Sequence, residues 1–373
     1  MKRNCFVVSL TMVITFALTL SLSGFTAPSA HAAEFNWKLQ SANPAGAPQI
    51  VLLKRLADNI EKMSAGRLHI EILASGAIVK PFQILEGVNG GIIECGQWWT
   101  HYSMGKNPAG SLFSSPLGGS GSGLDLMNHL SWYFQGGGRD LYVEYYQKIV
   151  KADVMPFLIA PDGPEAFGWS KVQPKTLDDY LKERYRMSSG LSSDVLKDMG
   201  GIPVNMSGAE VIPALERGLL DGGEWINTAS DLKLGLYDVA KNYSLQGLHQ
   251  AIGIMDVIIN GEAWRALPPD IQKIIECATT QSILEGMMYF VEQNAKALQI
   301  LVNEKGVNVF DAPPGYSEAF IKSSKKVLAE IEKKDPFFKK VLDSQRAYAK
   351  LVVPFTRETN KLMQLISGAA EIE

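Results

Sequence analysis

Apolar and polar residues alternate with two different periods along the chain. Leu68–Leu73 alternates with a period of two, as a half-buried strand does, and Asn36–Gln40 predicts an earlier strand. Between them, apolar residues recur with the helical period and predict an amphipathic helix at Pro48–Met63, which the glycine of Ser64–Arg67 ends. The chain therefore begins β-α-β, and its continued alternation of strands and helices indicates an α/β fold with largely parallel sheets.

One eight-residue pattern occurs twice. Residues 91–98 read Gly-Ile-Ile-Glu-Cys-Gly-Gln-Trp, and residues 218–225 read Gly-Leu-Leu-Asp-Gly-Gly-Glu-Trp. Each copy follows a predicted helix and contains a glycine, an apolar pair that we expect to be buried, an acid, and a final polar residue with a tryptophan. The repetition predicts two similar lobes with a cleft between them. The alternative is that the two segments resemble each other by chance, because glycine after a helix is common.

The remaining chain predicts one irregular region and a helical C-terminal part. Asn107–Asp125 is rich in Gly, Ser and Pro and predicts a long surface loop. Pro268–Asn303 predicts one or more long helices, and Gly315–Ile366 predicts further helix with breaks near Pro336 and Pro354. The last segment has more apolar residues than a solvated helix needs, and we expect them to be buried against the body of the protein or another chain.

The first 32 residues have the three parts of a secretory signal peptide. Lys2-Arg3 give a positive start, Phe6–Leu22 is an uncharged apolar run, and Ala30-His31-Ala32 is a small-x-small cleavage site. A membrane anchor is the alternative, but the run ends in Ser, Gly, Thr and Pro. The sequence predicts cleavage near Ala32 and a soluble protein in the periplasm.

Length and charge limit the partners. The 373 residues suggest two or three domains. Removing Lys2 and Arg3 leaves 34 basic against 39 acidic residues, a net charge of −5, which argues against nucleic acid as a partner. Cys95 and Cys277 remain after the signal peptide, and they either pair or are buried free thiols.

No residue pattern indicates catalysis. The sequence lacks an HExxH helix, a Gly-x-Ser-x-Gly elbow and a phosphate-binding glycine loop. An acid/base pair such as Glu165 with Glu224 is available, as pairs of carboxylates are in most proteins. We therefore expect a binding protein rather than an enzyme.

Arg186 and Glu224 are the most suggestive polar residues. Arginine holds a carboxylate through two parallel hydrogen bonds, and small residues at 188–190 would let the backbone approach a ligand. The alternative is a surface arginine paired with Asp178 or Asp179. Glu224 lies between a glycine and a tryptophan at the end of a predicted buried strand, where a carboxylate needs a cation or solvent.

Several segments resemble one known family by their order and spacing. They are Trp37–Leu39, Met63–Ile70, Gly105–Pro108, Thr176–Asp179 and Ala214–Gly218. These segments resemble the periplasmic substrate-binding proteins of TRAP transporters. Leu232–Tyr237 is similar to the branch that binds 2-oxo and 2-hydroxy monocarboxylates with a metal ion. The resemblance covers nearly the whole chain after the signal peptide.

The resemblance implies a two-lobe periplasmic binding protein fold of the α/β class, with a ligand cleft between the lobes and long C-terminal helices. The implied lobes are 33–157 plus 248–297 and 158–247 plus 298–340. Residues 341–373 are then a helical extension, and the resemblance implies that it pairs two subunits as a homodimer.

The resemblance also implies the site. Arg186 matches the arginine that clamps the carboxylate of the ligand. The positions that match the cation ligands are Glu165, Glu224-Trp225 and Gln250, with Na⁺ or Ca²⁺ as the ion. This chain has Glu165 where the family has Gln, and Gln250 where it has Glu. The exchange keeps two carboxylates and one amide, and loss of the metal is the alternative.

The remaining implied contacts complete a binding function. The residues expected to contact the substrate are Arg186, Glu165, Trp225, Tyr102, Trp99, Phe167, Asn227 and His249. The first copy of the repeat is expected to lead only to the pocket wall at Trp99 and Tyr102. The implied function is capture of a small organic acid for a TRAP permease. A metal-free receptor for a dicarboxylate or sugar acid, and a receptor that feeds a sensor, are the alternatives.

Overall fold

Two mixed β-sheets form the framework of the molecule. The computed structural model describes residues 33–114, 117–119, 121–187, 190–206 and 208–369. The first sheet has the strand order β2-β1-β3-β10-β4, and the second has the order β11-β9-β5-β8-β6-β7. The strands are β1 (Phe35–Ser41), β2 (Leu68–Leu73), β3 (Cys95–Trp98), β4 (Val154–Gly163), β5 (Gly168–Ser170), β6 (Arg184–Met187), β7 (Ile202–Asn205), β8 (Gly222–Gly223), β9 (Asn242–Ser244), β10 (Gly253–Asn260) and β11 (Asn308–Val309).

The sheets are less parallel than the sequence predicts. In the first sheet β1 is parallel to β2 and β3, but β10 is antiparallel to β3 and β4. In the second sheet β5 is antiparallel to β8 and β9. The antiparallel pairs arise where the chain crosses between the sheets, after β4 and again before β10, because a strand that arrives from the other lobe enters from the opposite end.

Helices cover both sheets. The α-helices are Pro48–Met63, Ile84–Asn89, Ser111–Ser114, Leu126–Gln135, Gly138–Glu144, Leu177–Leu181, Leu191–Asp198, Gly208–Glu216, Thr228–Leu234, Gly261–Ala266, Pro269–Asn303, Tyr316–Glu332 and Pro336–Gly368, with a π-helical stretch at Tyr145–Val150. The helix Pro269–Asn303 serves both lobes: Ile275 and Phe290 pack in the apolar core of the first, and Leu301 packs in that of the second. Within the described residues, no helix has the length and hydropathy needed to cross a bilayer.

The repeated pattern forms the same local structure in both sheets. Gly91 and Gly218 end their helices with φ of 68° and 69°, a conformation that favours glycine. The residue after each glycine donates its N–H five residues back, to the carbonyls of Gly87 and Ala214. The acid of each copy then accepts a backbone N–H from the adjoining strand, Glu94 from Lys38 at 2.8 Å and Asp221 from Arg184 at 2.9 Å.

One expectation about the repeat is wrong. Only the second residue of each apolar pair is buried, Ile93 and Leu220, whereas Ile92 and Leu219 are 62% and 57% exposed. The pair lies where a helix ends and a strand begins, so its two side chains point to opposite sides of the chain. Each copy ends at a short strand in the middle part of its sheet: Trp98 is the last residue of β3, and Trp225 follows β8 by two residues.

Two further predictions need correction. Asn107–Asp125 is not a surface loop, because it contains the helix Ser111–Ser114 and the buried residues Leu112, Phe113 and Leu124. The predicted break near Pro336 is confirmed, but the helix Pro336–Gly368 continues through Pro354. Pro354 is exposed, and water can therefore reach the carbonyl that it leaves without a helical partner.

The two cysteines do not pair. Cys95 is buried and Cys277 is exposed, and both are free thiols. Burial raises the pKa of the Cys95 thiol well above its usual range. Cys277 lies on the outer face of the helix Pro269–Asn303, so the expectation that both thiols are buried holds only for Cys95.

Candidate functional site

The candidate site lies where the chain crosses between the two sheets. The segment after β4 carries Glu165, and the turn before β10 carries His249 and Gln250. These segments run side by side, and the Glu165 N–H donates to the Gln250 carbonyl at 3.2 Å. At Gly247 a Cβ would lie 2.5 Å from the Glu165 carbonyl oxygen, so glycine is needed for this close approach.

A small cavity of about 20 Å³ lies at this crossing. This volume is enough for one water molecule or ion. Both lobes line it, through Trp99, His101, Tyr102, Glu165, Arg186, Trp225, Ile226 and Gln250. Five of the residues predicted to contact substrate therefore share one cavity: Trp99, Tyr102, Glu165, Arg186 and Trp225.

Arg186 is buried within the site and is not a surface residue. It lies on β6 and is 3% exposed. One terminal nitrogen donates to the carboxylate and the backbone carbonyl of Glu224, each at 2.6 Å, and the rest of the guanidinium donates to the Met206 carbonyl. The alternative pairing with Asp178 or Asp179 is wrong, because Asp178 pairs with Lys182 and Asp179 caps its own helix.

Glycines let Glu224 and Trp225 reach this arginine. Gly223 lies opposite Arg186 on the neighbouring strand, and a Cβ on Gly223 would lie 2.8 Å from the Arg186 Cβ. The Trp225 ring lies 5.6 Å from the guanidinium, within the range of a cation–π contact. It also covers Gly208, where a Cβ would overlap the ring. The second copy of the repeat thus ends in a buried Arg–Glu pair covered by an indole.

The two exchanged positions contact each other. The Gln250 side-chain amide donates to Glu165 Oε1 at 2.8 Å. Because Gln and Glu at these positions form one hydrogen-bonded pair, exchanging them moves the carboxylate by only a few ångströms. Relative to the pattern that the family resemblance implies, the exchange would therefore keep the charge in nearly the same place.

Glu165 and His249 form the other half of the site. Glu165 Oε2 and His249 Nε2 lie 3.4 Å apart, both side chains are buried, and neither atom has a hydrogen-bond partner among the described residues. Burial, together with the charges of Glu224 and Asp162, raises the pKa of Glu165 well above its usual range. Burial and the nearby Arg186 lower the pKa of His249 to about 3, so its imidazole is neutral.

The donor atoms of this cluster fit a cation. One ligand atom from each of Glu165, Glu224 and His249 lies within 4.8 Å of the other two. Buried carboxylates are costly without a compensating charge, and Arg186 compensates only one of the two. The unpartnered Glu165 oxygen and His249 nitrogen are the atoms that a bound ion would satisfy. Trp225, predicted as a metal ligand, offers only its backbone carbonyl, since an indole N–H cannot coordinate.

His101 is a site residue that the sequence interpretation missed. It lies in the helical turn Thr100–Ser103 after β3, is buried, and has no hydrogen-bond partner on either ring nitrogen in the described chain. Burial and Arg186 lower its pKa to about 3. A single histidine forms no metal-ligand or catalytic motif that a sequence could reveal. Its position two residues after the predicted wall residue Trp99 was the only sequence feature that pointed to the site.

Three predicted contacts, Phe167, Asn227 and His249, lie outside the cavity lining. Phe167 packs in the core of the second lobe against Tyr180 and Tyr316. Asn227 caps the helix Thr228–Leu234 and donates to the Asp162 carbonyl at 2.6 Å. The small residues Ser188 and Ser189 fall outside the described residues.

The neighbourhood of Asp162 joins the two lobes. Its carboxylate accepts hydrogen bonds from Gln49 at 2.9 Å and from the Trp99 indole at 3.0 Å. Gln49 also donates to Ser230 at 3.1 Å, at the start of a second-lobe helix. Burial raises the pKa of Asp162 to about 7. This network ties the wall residue Trp99 to both lobes.

Comparison with known proteins agrees with this architecture. The family profile of DctP, bacterial extracellular solute-binding protein family 7, matches residues 39–335. A monocarboxylate 2-oxoacid-binding periplasmic protein of Nostoc sp. is 28% identical over 322 residues, 86% of each chain.

Two solved structures share the fold closely. One is a TRAP periplasmic solute-binding protein from Pseudoalteromonas atlantica with bound sodium and pyruvate. It superposes with a TM-score of 0.81 at 25% identity, and the match spans 90% of this chain and 99% of that protein's chain. The other is a TRAP periplasmic solute-binding protein from Colwellia psychrerythraea with bound calcium and pyruvate. Its TM-score is 0.79 at 25% identity, and the match spans 88% of this chain and 98% of that protein's chain.

Proposed function

Because the chain belongs to bacterial extracellular solute-binding protein family 7, we propose that it captures a small 2-oxo or 2-hydroxy monocarboxylate, together with a metal ion, outside the cytoplasm. In this proposal it delivers the acid to a TRAP-type permease and acts as a receptor, not as an enzyme. The observation that carries the proposal is the buried Arg186 beside two buried carboxylates at the crossing between the lobes.

The charges in the cavity favour a monocarboxylate. Arg186 is the one permanent cation among the described residues that line it, since His101 is neutral at pH 7. A second carboxylate on the ligand would have no cationic partner, and burying it would be costly. The Nostoc relative and the two solved structures are described with the same ligand class, a 2-oxo acid.

A cation belongs to the proposal because of the carboxylates. Glu165, Glu224 and the Gln250 side chain offer oxygen atoms, which suit Na⁺ or Ca²⁺. When bound, the ion would supply positive charge beside the 2-oxo or 2-hydroxy oxygen of the acid. The residues of this chain would do the rest: Arg186 holds the carboxylate, and Trp99, Tyr102 and Trp225 enclose the short apolar part.

Binding residues from both lobes support a mechanism of closure. Trp99 and Tyr102 follow β3 in the first sheet, whereas Arg186 and Trp225 belong to the second. A ligand that contacts both groups stabilises the state in which they are close together. We further propose two lobes with boundaries near 33–157 plus 248–297 and 158–247 plus 298–340. The first boundary moves from 157 to Gly163, because β4 belongs to the first sheet and ends there.

Calorimetry on the mature chain tests the function. Pyruvate is titrated with Ca²⁺, with Na⁺ and after chelation, and malate and galacturonate are titrated under the same conditions. We expect pyruvate to bind at least tenfold more tightly with the cation than without it, and more tightly than malate. Metal-independent binding of malate or galacturonate would instead identify a receptor for dicarboxylates or sugar acids.

A further inference from the structure

The cation cluster contains a nitrogen donor in addition to its oxygens. His249 is 1% exposed, and its Nε2 lies 3.4 Å from Glu165 Oε2, with no hydrogen-bond partner for either atom in the described structure. The residue is held in a tight turn, Leu248–Gln250, whose backbone carbonyl at His249 accepts a hydrogen bond from Ser192 at 3.0 Å. The imidazole is therefore fixed beside the carboxylate and directed at it.

A purely packing role for His249 leaves two buried polar atoms unsatisfied. Burying a donor or acceptor without a partner is unfavourable, and here a carboxylate oxygen and an imidazole nitrogen face each other at 3.4 Å. A metal ion between them would satisfy both atoms at once. Glu224 completes a set of three donors within 4.8 Å of one another.

An imidazole ligand changes which ions the site prefers. Ca²⁺ and Na⁺ are hard cations that take oxygen ligands, whereas imidazole suits Zn²⁺, Co²⁺ and Ni²⁺. Two carboxylates with one histidine resemble the mixed O and N donor sets that hold these transition ions in proteins.

The charge of the site favours a divalent ion. Carboxylates bind a metal in their ionised form. With Glu165 and Glu224 both ionised and Arg186 contributing one positive charge, the cluster without its ion carries −1. A divalent cation and a monocarboxylate together bring this buried sum to zero, whereas a monovalent ion leaves −1 after the acid binds. A buried site is most stable when its charges balance.

We propose that His249 is a direct metal ligand and that the site of this chain selects a divalent transition-metal cation over Ca²⁺ and Na⁺. This inference rests on the proposed function, because the proposed metal ligand Glu165 also lines the cavity beside Arg186, which is proposed to hold the organic acid. It differs from that function in naming the ion class and the residue that selects it.

Metal titrations of the whole mature chain test the inference. The chain is stripped with a chelator, and Co²⁺ and Ca²⁺ are titrated by calorimetry, with the visible absorption of Co²⁺ as a second readout of its ligands. His249→Gln replaces the nitrogen donor with an amide. His69→Gln is the matched control, since His69 is exposed and pairs with Glu61 on the surface.

We expect the wild type to bind Co²⁺ at least about tenfold more tightly than Ca²⁺. His249→Gln should weaken Co²⁺ at least about tenfold and Ca²⁺ less than about threefold, and His69→Gln should change neither. Equal effects of His249→Gln on both ions, or no effect on Co²⁺, would overturn the inference. If His249→Gln does not fold, the wild-type preference decides: tighter binding of Ca²⁺ than of Co²⁺ also overturns it.

A pyruvate titration in saturating Ca²⁺ separates this inference from the proposed function. Pyruvate binding to the wild type together with equal Co²⁺ and Ca²⁺ responses means that only the inference fails. Absence of binding by any organic acid with any ion means that the proposed function fails, whatever the metal preference.

Discussion

At the residue scale, the site depends on an arginine and a glutamate that are buried together. Removing one member of a buried ion pair costs about 3–5 kcal/mol, because the other charge is left unpaired. Arg186→Ala would therefore confuse lost binding with lost stability. A substitution that keeps the charge and removes the planar fork separates the two effects.

We expect Arg186→Lys to weaken pyruvate binding at least about tenfold, because a lysine cannot hold a carboxylate through two parallel hydrogen bonds. Calorimetry measures the affinity, and thermal unfolding measures the stability. Arg184→Lys is the control, two residues away on the same strand, exposed and paired with Asp221. Equal affinity of wild type and Arg186→Lys would remove the guanidinium from the site.

A second residue-scale prediction concerns a buried carboxyl away from the site. Asp256 on β10 accepts hydrogen bonds from the Thr100 N–H at 2.5 Å and from the Tyr142 hydroxyl. Burial raises its pKa from 3.8 to about 7. Between these two values the folded state keeps a proton that the unfolded state has lost, so the contribution of this group to stability falls as pH rises.

Asp256→Asn removes this pH dependence. The new amide can accept from Thr100 and donate to the Tyr142 oxygen, whose hydroxyl then turns to Thr100 Oγ1 at 2.7 Å. We expect the free energy of unfolding of the variant, relative to wild type, to increase by about 2–4 kcal/mol from pH 4 to pH 8. Urea unfolding at several pH values measures it. A constant difference would show that the pKa of Asp256 is not raised.

At the element scale, the repeated helix–glycine–strand unit has a separate role in each sheet. In the first copy, Gln97 accepts hydrogen bonds from Ser41 and Asn43, and the indole of Trp98 donates to Tyr146 inside the core. In the second copy, Glu224 pairs with Arg186 at the site. The same backbone thus supports core packing in one lobe and a buried ion pair in the other.

Strand packing at β8 leads to a third prediction. A methyl group at Gly223 would lie 2.8 Å from the Arg186 Cβ, so Gly223→Ala should push β6 and β8 apart. We expect a loss of about 1–3 kcal/mol in unfolding free energy and weaker pyruvate binding. Gly105→Ala is the control, since a Cβ there meets nothing within 4 Å. An unchanged affinity and stability for Gly223→Ala would contradict the packing argument.

At the scale of the whole molecule, the C-terminal helix ends in an apolar stripe. Leu351, Phe355, Leu362 and Ile366 follow one face of the helix Pro336–Gly368 and are 73%, 71%, 53% and 59% exposed. Monomeric soluble proteins rarely expose a continuous apolar stripe of this kind. The stripe therefore supports the proposal that this helix pairs with a second copy of the chain.

We expect the mature chain to be a dimer by light scattering and Phe355→Glu with Leu351→Glu to convert it to a monomer, because burying two carboxylates in the pairing face is costly. Val172→Glu is the control, since Val172 is an isolated exposed apolar residue far from the stripe in sequence. A wild-type monomer at micromolar concentration would exclude the pairing.

Much of the fold was predictable because it is local. The helix Pro48–Met63 and the strand Leu68–Leu73 have the predicted bounds, since amphipathic periodicity and a terminal glycine determine both. The antiparallel β10 was not predictable from periodicity, because the direction of a strand depends on where the chain crosses between sheets. The burial of Leu112 and Phe113 within a glycine-rich segment likewise depends on distant helices.

The sequence by itself determined the two-lobe α/β plan, and the repeat and the family resemblance predicted Arg186, Glu165, Glu224 and Gln250 as site residues. The plan follows from short-range pattern, and Arg186 and Glu224 stand out by residue type, whereas Gln250 and the ligand role of Glu165 come from the resemblance alone. Only the tertiary structure decided that Glu165 and Gln250 are hydrogen-bonded partners, that Arg186 pairs with Glu224 in the interior, and that His101 joins them. The site brings together residues as many as 149 positions apart, His101 and Gln250 in one cavity lining, and only the packing of two sheets around their crossing strands brings such residues together.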